Sequence, residues 1–249
     1  MQQSTVSITR ADGTSMKAMY CLPDAPGGRL PAVLVIFDVF GMTTDLSRIA
    51  GRFVQQGYAV LVPDLFDRPE LRVLCVVRAL RSTRRGSGRE FDDLRAAREF
   101  LGSRSEIDAA RVAVTGFCMG GGFAVYLGAS GLYKVSAPFY GDVPGNVEAL
   151  RGTCPVIASF GARDAKRMIS AGHRLESHLK TLGVPHDVKF YPEAGHSFMN
   201  RNSGFLAERL APNLPIHAQY HEPSAEDAWR RLFSFFDAHM NRPSNPPAA

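Results

Sequence analysis

The chain has 249 residues, of which 45% are apolar and 21% charged, the composition of a folded globule and a length common for one α/β domain. No wholly apolar run exceeds the six residues Ala32–Phe37, far short of the ~18 that a membrane helix needs. The opening MQQSTVSITRADG lacks the basic-then-apolar order of a secretory signal, so a cytoplasmic protein without a membrane partner is expected. The formal charge of +5 is concentrated between Arg68 and Arg104, where ten arginines and no lysine face five acids. A nucleic-acid binder would spread its basic residues over a broader face with interleaved aromatics. This segment reads instead as a solvated helix face or a site for a small anion.

Strand-like runs fall at 4–10, 15–22, 31–37, 58–63, 111–115, 134–140, 154–160 and 186–191. Helical patterns fall at 43–56, 70–83, 90–103, 118–130, 165–182 and 224–241. The first two strands, separated by the turn sequence ADGT, form an antiparallel edge hairpin. PAVLVIF, YAVLVP, RVAVTG and PVIASF are apolar without alternation, the pattern of strands covered on both faces. Their alternation with helices predicts an α/β fold with a mostly parallel central sheet and helices on both faces. In the last helix, Ser224 is the expected N-cap with Asp227 at the third position of a capping box. Trp229, Leu232, Phe233, Phe236 and Met240 then repeat at helical spacing as its core face. The loop 200–223 is longer than an ordinary connection and is expected to border a site. No repeat or linker interrupts the pattern, so residues 1–242 form a single domain and 243–249 a flexible tail.

The four cysteines form no CxxC pair and no metal-type spacing with the seven histidines, so no metal site is expected. Cys21, Cys75 and Cys154 sit in apolar segments and read as packing thiols. Cys118 differs. It lies in GFCMGGG at 116–122, directly after a buried-strand pattern and directly before a helical one. That is the context of the nucleophile elbow G-x-S-x-G, with Cys in the Ser position. A sharp strand-to-helix turn strains the nucleophile's backbone and leaves no room for side chains at Gly116 and Gly120. The helix start beneath Cys118 offers N–H groups and a positive dipole to a thiolate or an oxyanion. A glycine-rich turn around an inert thiol is the competing reading, and strand, spacing and helix together disfavour it.

A thiol nucleophile needs a base, and the base an orienting partner. Asp164, in the loop GARD, follows the strand PVIASF; His196, in PEAGHSF, follows HDVKFY. Both stand in the order nucleophile, acid, histidine, each after its own strand, where open α/β sheets bind ligands. Of the other histidines, His173 and His178 fall on a helix, His186 starts a strand and His239 is near the end of the last helix. His217 and His221, in the loop 200–223, read as site neighbours or as ordinary solvated residues.

The GFCMGG elbow, the later Asp and the GHSF loop resemble the dienelactone hydrolase family of α/β-hydrolases. The resemblance continues through PAVLVIFDVFGM, GYAVLVPDLF and FDDLRAAREFL and covers roughly residues 15–242. It implies an α/β-hydrolase fold and a carboxymethylenebutenolidase-type hydrolysis of esters or lactones through an acyl-enzyme. Cys118 would be the nucleophile, His196 the general base and Asp164 its orienter. The backbone N–H groups of Val39 and Met119 would form the oxyanion hole. Asp38 matches a carboxylate beside the thiol where family members often have Glu. The family's best-known members hold a substrate carboxylate with two arginines. Here MNRN after His196 presents Asn200 and then Arg201, and Arg72, Arg78 and Arg81 stand in the basic segment. A small anionic ester or lactone is the expected substrate, with no cofactor and no nucleic-acid partner, and a monomer is implied. The competing class is a non-catalytic α/β-hydrolase-fold protein that binds a small ligand; the ordered Cys, Asp and His argue against it. A redox-sensing Cys118 would lack a resolving cysteine close in sequence.

Overall fold

In a computed structural model of the chain, which describes residues 1–24, 28–201 and 217–240, the apolar runs become the centre of one sheet. Its strands are β1 (Gln2–Thr9), β2 (Ser15–Leu22), β3 (Leu30–Ile36), β4 (Ala59–Pro63), β5 (Ile107–Phe117), β6 (Val135–Phe139), β7 (Val156–Gly161) and β8 (His186–Tyr191). The helices are α1 (Asp45–Gln55), α2 (Arg72–Arg85), α3 (Arg89–Ser103), α4 (Met119–Gly128), α5 (Lys166–Thr181) and α6 (Glu222–Met240). Each predicted strand and helix has its counterpart here. The tail 243–249 and most of the loop 200–223 lie outside the described residues.

The strand order is β1-β2-β4-β3-β5-β6-β7-β8. β1 and β2 form the expected hairpin and β2 joins β4 antiparallel; all later neighbours are parallel. Every residue of β4 and β6 is buried, because helices cover both faces and no alternating polar face is needed. On one face, α1 and α6 meet through aromatics: Phe53 lies 5.3 Å from Trp229, 5.6 Å from Phe233 and 6.1 Å from Phe236, centroid to centroid. α3 and α4 pack against the central strands and α5 against β7 and β8. The direction of growth reverses between β3 and β5, which makes their carboxyl ends the switch-point crevice of the sheet.

One expected cap is displaced. α6 begins at Glu222, so Ser224 lies inside the first turn, where its Oγ shares a 2.8 Å hydrogen bond with His221 Nδ1. Proline needs no N–H partner in a first turn, so Pro223 lets the helix start before Ser224. The Ala225 N–H accordingly donates to the His221 carbonyl (2.9 Å). Asp227 does not reach back to the helix start; its Oδ2 accepts from Lys189 Nζ (2.7 Å) and the Tyr191 hydroxyl (2.8 Å) of β8.

No helix among the described residues is long and apolar enough to cross a membrane.

Candidate active site

β5 ends at Phe117 and α4 begins at Met119, so Cys118 alone makes the turn, with φ 54° and ψ −112°. Such a backbone costs a non-glycine residue roughly 1–3 kcal/mol and persists only where its surroundings over-determine it. Here they do. Gly116 pairs with Ile36 of β3 on one side and Pro138 of β6 on the other. A Cβ on Gly116 would overlap the Gly120 carbonyl, and one on Gly120 would overlap the Ile36 carbonyl. The Cys118 N–H donates to Phe139 O at 3.0 Å, tying the turn to the neighbouring strand. Met119 opens α4, so its N–H belongs to the helix start that has no intrahelical acceptor.

The loop after β3 borders the elbow, because β3 and β5 are adjacent. Asp38 is buried there; its Oδ1 accepts from the Phe40 N–H (2.8 Å) and its carbonyl from the Gly41 N–H (3.1 Å). This turn holds Val39 above the carboxyl end of β3.

Asp164 and His196 come from the loops after β7 and β8, whose backbones are joined by the Arg163 N–H to Ala194 O bond (2.9 Å). His196 Nδ1 lies 2.6 Å from Asp164 Oδ2, and Asp164 Oδ1 accepts from the Ala165 N–H, also at 2.6 Å. Both carboxylate oxygens are therefore engaged, in a side chain that is 1% exposed. With Nδ1 committed to Asp164, Nε2 is the nitrogen left for Cys118. Burial works against the imidazolium, but negative charge on Cys118 and the bond to Asp164 outweigh it, pushing His196 up to about 10. Burial pushes Cys21 up to about 11 and Cys154 up to about 12.

Cys118 and His196 line one cavity of about 190 Å³. Leu80, Thr83 and Met168 form part of its wall, Tyr140 is buried within it, and Arg84, Arg167 and Asp142 bring charge to it. Among the described residues, no cluster of His, Cys, Asp and Glu is arranged to hold a metal ion.

The four arginines singled out in the sequence do not line this cavity. The Arg72 guanidinium donates to Phe40 O and lies over the Phe66 ring. Arg78 pairs with Glu70. Arg81 borders a separate hollow with Arg78 and Arg85. Arg201 turns to the Tyr220 hydroxyl (3.1 Å) and ring, while its backbone N–H donates to Asp45. Instead, α2 turns Leu80, Thr83 and Arg84 towards the elbow, so the arginine that reaches the cavity is the one a helical turn beyond Arg81. Arg167, at the start of α5, pairs with Asp142 at the same cavity. Helix phase against α4 decides this choice, and no short window of sequence contains it.

A cysteine on a strand–turn–helix elbow, with a histidine and an aspartate from later parallel strands, places the chain among the α/β-hydrolases. Residues 16–240 match the dienelactone hydrolase family. The chain belongs to that family of hydrolases. A carboxymethylenebutenolidase from Rhodococcus opacus is 25% identical, over 95% of this chain and 92% of its own. Among solved structures, a candidate dienelactone hydrolase from Klebsiella pneumoniae superposes with a TM-score of 0.78 at 24% identity, covering 96% of this chain and 99% of the other. A dienelactone hydrolase-like promiscuous phosphotriesterase from metagenomic libraries gives 0.76 at 21% identity, with 96% and 99% covered.

Proposed function

We propose that the protein is a cysteine-dependent hydrolase of small esters or lactones, working through a thioester on Cys118. The observation that carries the proposal is the buried 2.6 Å His196–Asp164 pair sharing a cavity with a cysteine at the head of α4. His196 Nε2 takes the thiol proton, and Asp164 remains ionised and stabilises the imidazolium. The sulfur attacks the substrate carbonyl. The oxyanion is held by the N–H groups of Met119 and Val39, each worth about 3–4 kcal/mol in such sites. The leaving oxygen takes the proton from His196 and departs, leaving the thioester. His196 then removes a proton from water, the resulting hydroxide attacks, and the second tetrahedral intermediate expels the thiolate to release the acid. Asp38, buried in the turn after β3, modulates where that proton rests. Thiolate is itself readily expelled, so an enol-lactone or activated ester suits the site better than an amide.

The cavity's size favours a small acyl group, and Arg84 and Arg167 favour one that carries an anion. Among the described residues Arg84 has no bonded acid, which leaves its guanidinium for a substrate carboxylate. The butenolide named for the Rhodococcus relative is a lactone of this kind, bearing a carboxylate.

Hydrolysis of p-nitrophenyl acetate and of cis- and trans-dienelactone should be followed with wild type, Cys118→Ala and His196→Ala. Turnover that both substitutions abolish is the expected result. Turnover that survives Cys118→Ala would overturn the mechanism, and failure of the wild type on all three would favour a ligand-binding protein.

A further inference from the structure

We propose that Tyr140 and Asn200 form a positioning pair that holds the His196 loop, and with it the imidazole, in register with Cys118. The inference rests on His196 acting as base for Cys118. Four non-glycine residues among those described have φ in the left-handed region: Cys118, Tyr140, Ser197 and His217. Such strain gathers where surrounding structure imposes it, and here all four surround one histidine. Cys118 shares its cavity and Ser197 follows it. The His217 carbonyl abuts Gly195, which precedes it. Tyr140 is the member whose ring packs against that of the histidine.

Sheet register explains how Tyr140 arrives there. Phe117 of β5 pairs with Phe139 of β6, so Tyr140 is one residue beyond that pair, as Cys118 is on its own strand. The Tyr140 N–H donates to Ser159 O of β7 (3.0 Å), which anchors its backbone in the sheet. Its ring is fully buried and meets the His196 ring edge-on, with centroids 5.3 Å apart at 62°, and the Phe198 ring at 5.4 Å.

The hydroxyl is what distinguishes this residue from the phenylalanines around it. It donates to Asn200 Oδ1. Asn200 is itself buried, and its backbone N–H donates to Ser197 O (2.9 Å), closing the turn that begins immediately after His196. A phenol buried in an apolar cluster is costly unless its hydroxyl is bonded, and the bond it finds among the described residues is to this loop. Burial, together with negative charge on Asp38, Cys118 and Asp45, holds the phenol well above its usual range, so it remains a donor throughout the working range of the histidine. Asp164 thus fixes one nitrogen of the ring, while Tyr140 fixes both the ring's edge and the backbone that carries it.

Tyr140→Phe keeps the ring and removes only the bond to the loop; Asn200→Ala removes the acceptor. Two readouts separate positioning from stability. The first is kcat and KM for p-nitrophenyl acetate. The second is the pH dependence of Cys118 alkylation by iodoacetamide, resolved by mass spectrometry from labelling of Cys21 and Cys75. Losing one such bond should lower kcat about three- to tenfold with KM little changed. Cys118 alkylation near neutral pH should slow by a similar factor, and the double variant should lose no more than the larger single. The proposal is overturned if Tyr140→Phe lowers Tm yet leaves kcat and alkylation within twofold of wild type, or if the two losses multiply. His196→Ala is the control for the underlying reading: unchanged Cys118 alkylation there would refute the thiol–imidazole pair, whatever Tyr140→Phe does.

Discussion

Asp164→Asn is the most exacting test of the site, because it changes one atom and almost no volume. Oδ1 already accepts from the Ala165 N–H at 2.6 Å, so an asparagine would keep its carbonyl oxygen there and present its NH2 to His196 Nδ1. Nδ1 would then have to accept, and the proton would move to Nε2, the nitrogen that must be empty to take the thiol proton. Loss of the charge-assisted bond alone corresponds to about 1.5–3 kcal/mol, or roughly 10- to 150-fold. The wrong tautomer adds to this, so a fall in kcat of about 10²–10⁴-fold is expected. Asp164→Ala leaves both tautomers open and should lose less. Asp164 is one of the groups that raise His196, so the imidazolium, favoured up to about pH 10 in wild type, should be lost at lower pH in the Asn variant. The assay is kcat/KM for p-nitrophenyl acetate from pH 5 to 10, beside the rate of Cys118 alkylation. A folded Asp164→Asn enzyme keeping more than a tenth of wild-type kcat would refute the orienting role.

Gly120→Ala should destabilise the protein by about 3 kcal/mol or more and abolish hydrolysis, because the new Cβ would overlap the Ile36 carbonyl at the heart of the sheet; urea unfolding measures it. Arg84→Gln should raise KM about tenfold for a carboxylated lactone but leave its neutral methyl ester within twofold, whereas Arg201→Gln should leave both unchanged. Equal effects of Arg84→Gln on the two substrates would remove the anionic subsite. Burial raises Cys21 to about 11, above the range in which an unfolded thiol ionises. Between about pH 9 and 11 the unfolded state therefore binds fewer protons than the native one, and stability falls as pH rises. The contribution is at most about 1.4 kcal/mol per pH unit, and Cys21→Ala should flatten the slope of unfolding free energy over that window.

Much of this protein is legible in short stretches of chain. The elbow is readable because a buried strand, two glycines, a cysteine and a helix start occupy consecutive positions; Gly116 faces the Gly120 carbonyl within that turn, whereas the contact that excludes a side chain at Gly120 is with Ile36 of β3. Asp164 and His196 were readable because each directly follows its own apolar strand, and the ends of parallel strands share one edge of the sheet. The cap signal of Ser224 sets the expected start of α6 two residues late, while the tolerance of a first turn for Pro223 is silent. Tyr140 and Arg84 belong to another class. Tyr140 becomes a neighbour of Cys118 only through the pairing of Phe117 with Phe139, and a partner of Asn200 only when the loop after β8 folds back beside β6. Arg84, rather than Arg72, Arg78, Arg81 or Arg201, reaches the cavity because of the rotation at which α2 packs on α4. Periodicity and turn chemistry act between residues a few positions apart, so local patterns in the chain mark out the elements and the candidate site residues. The direction of a side chain across elements depends on strand register and helix phase, long-range quantities that only the packed tertiary structure decides.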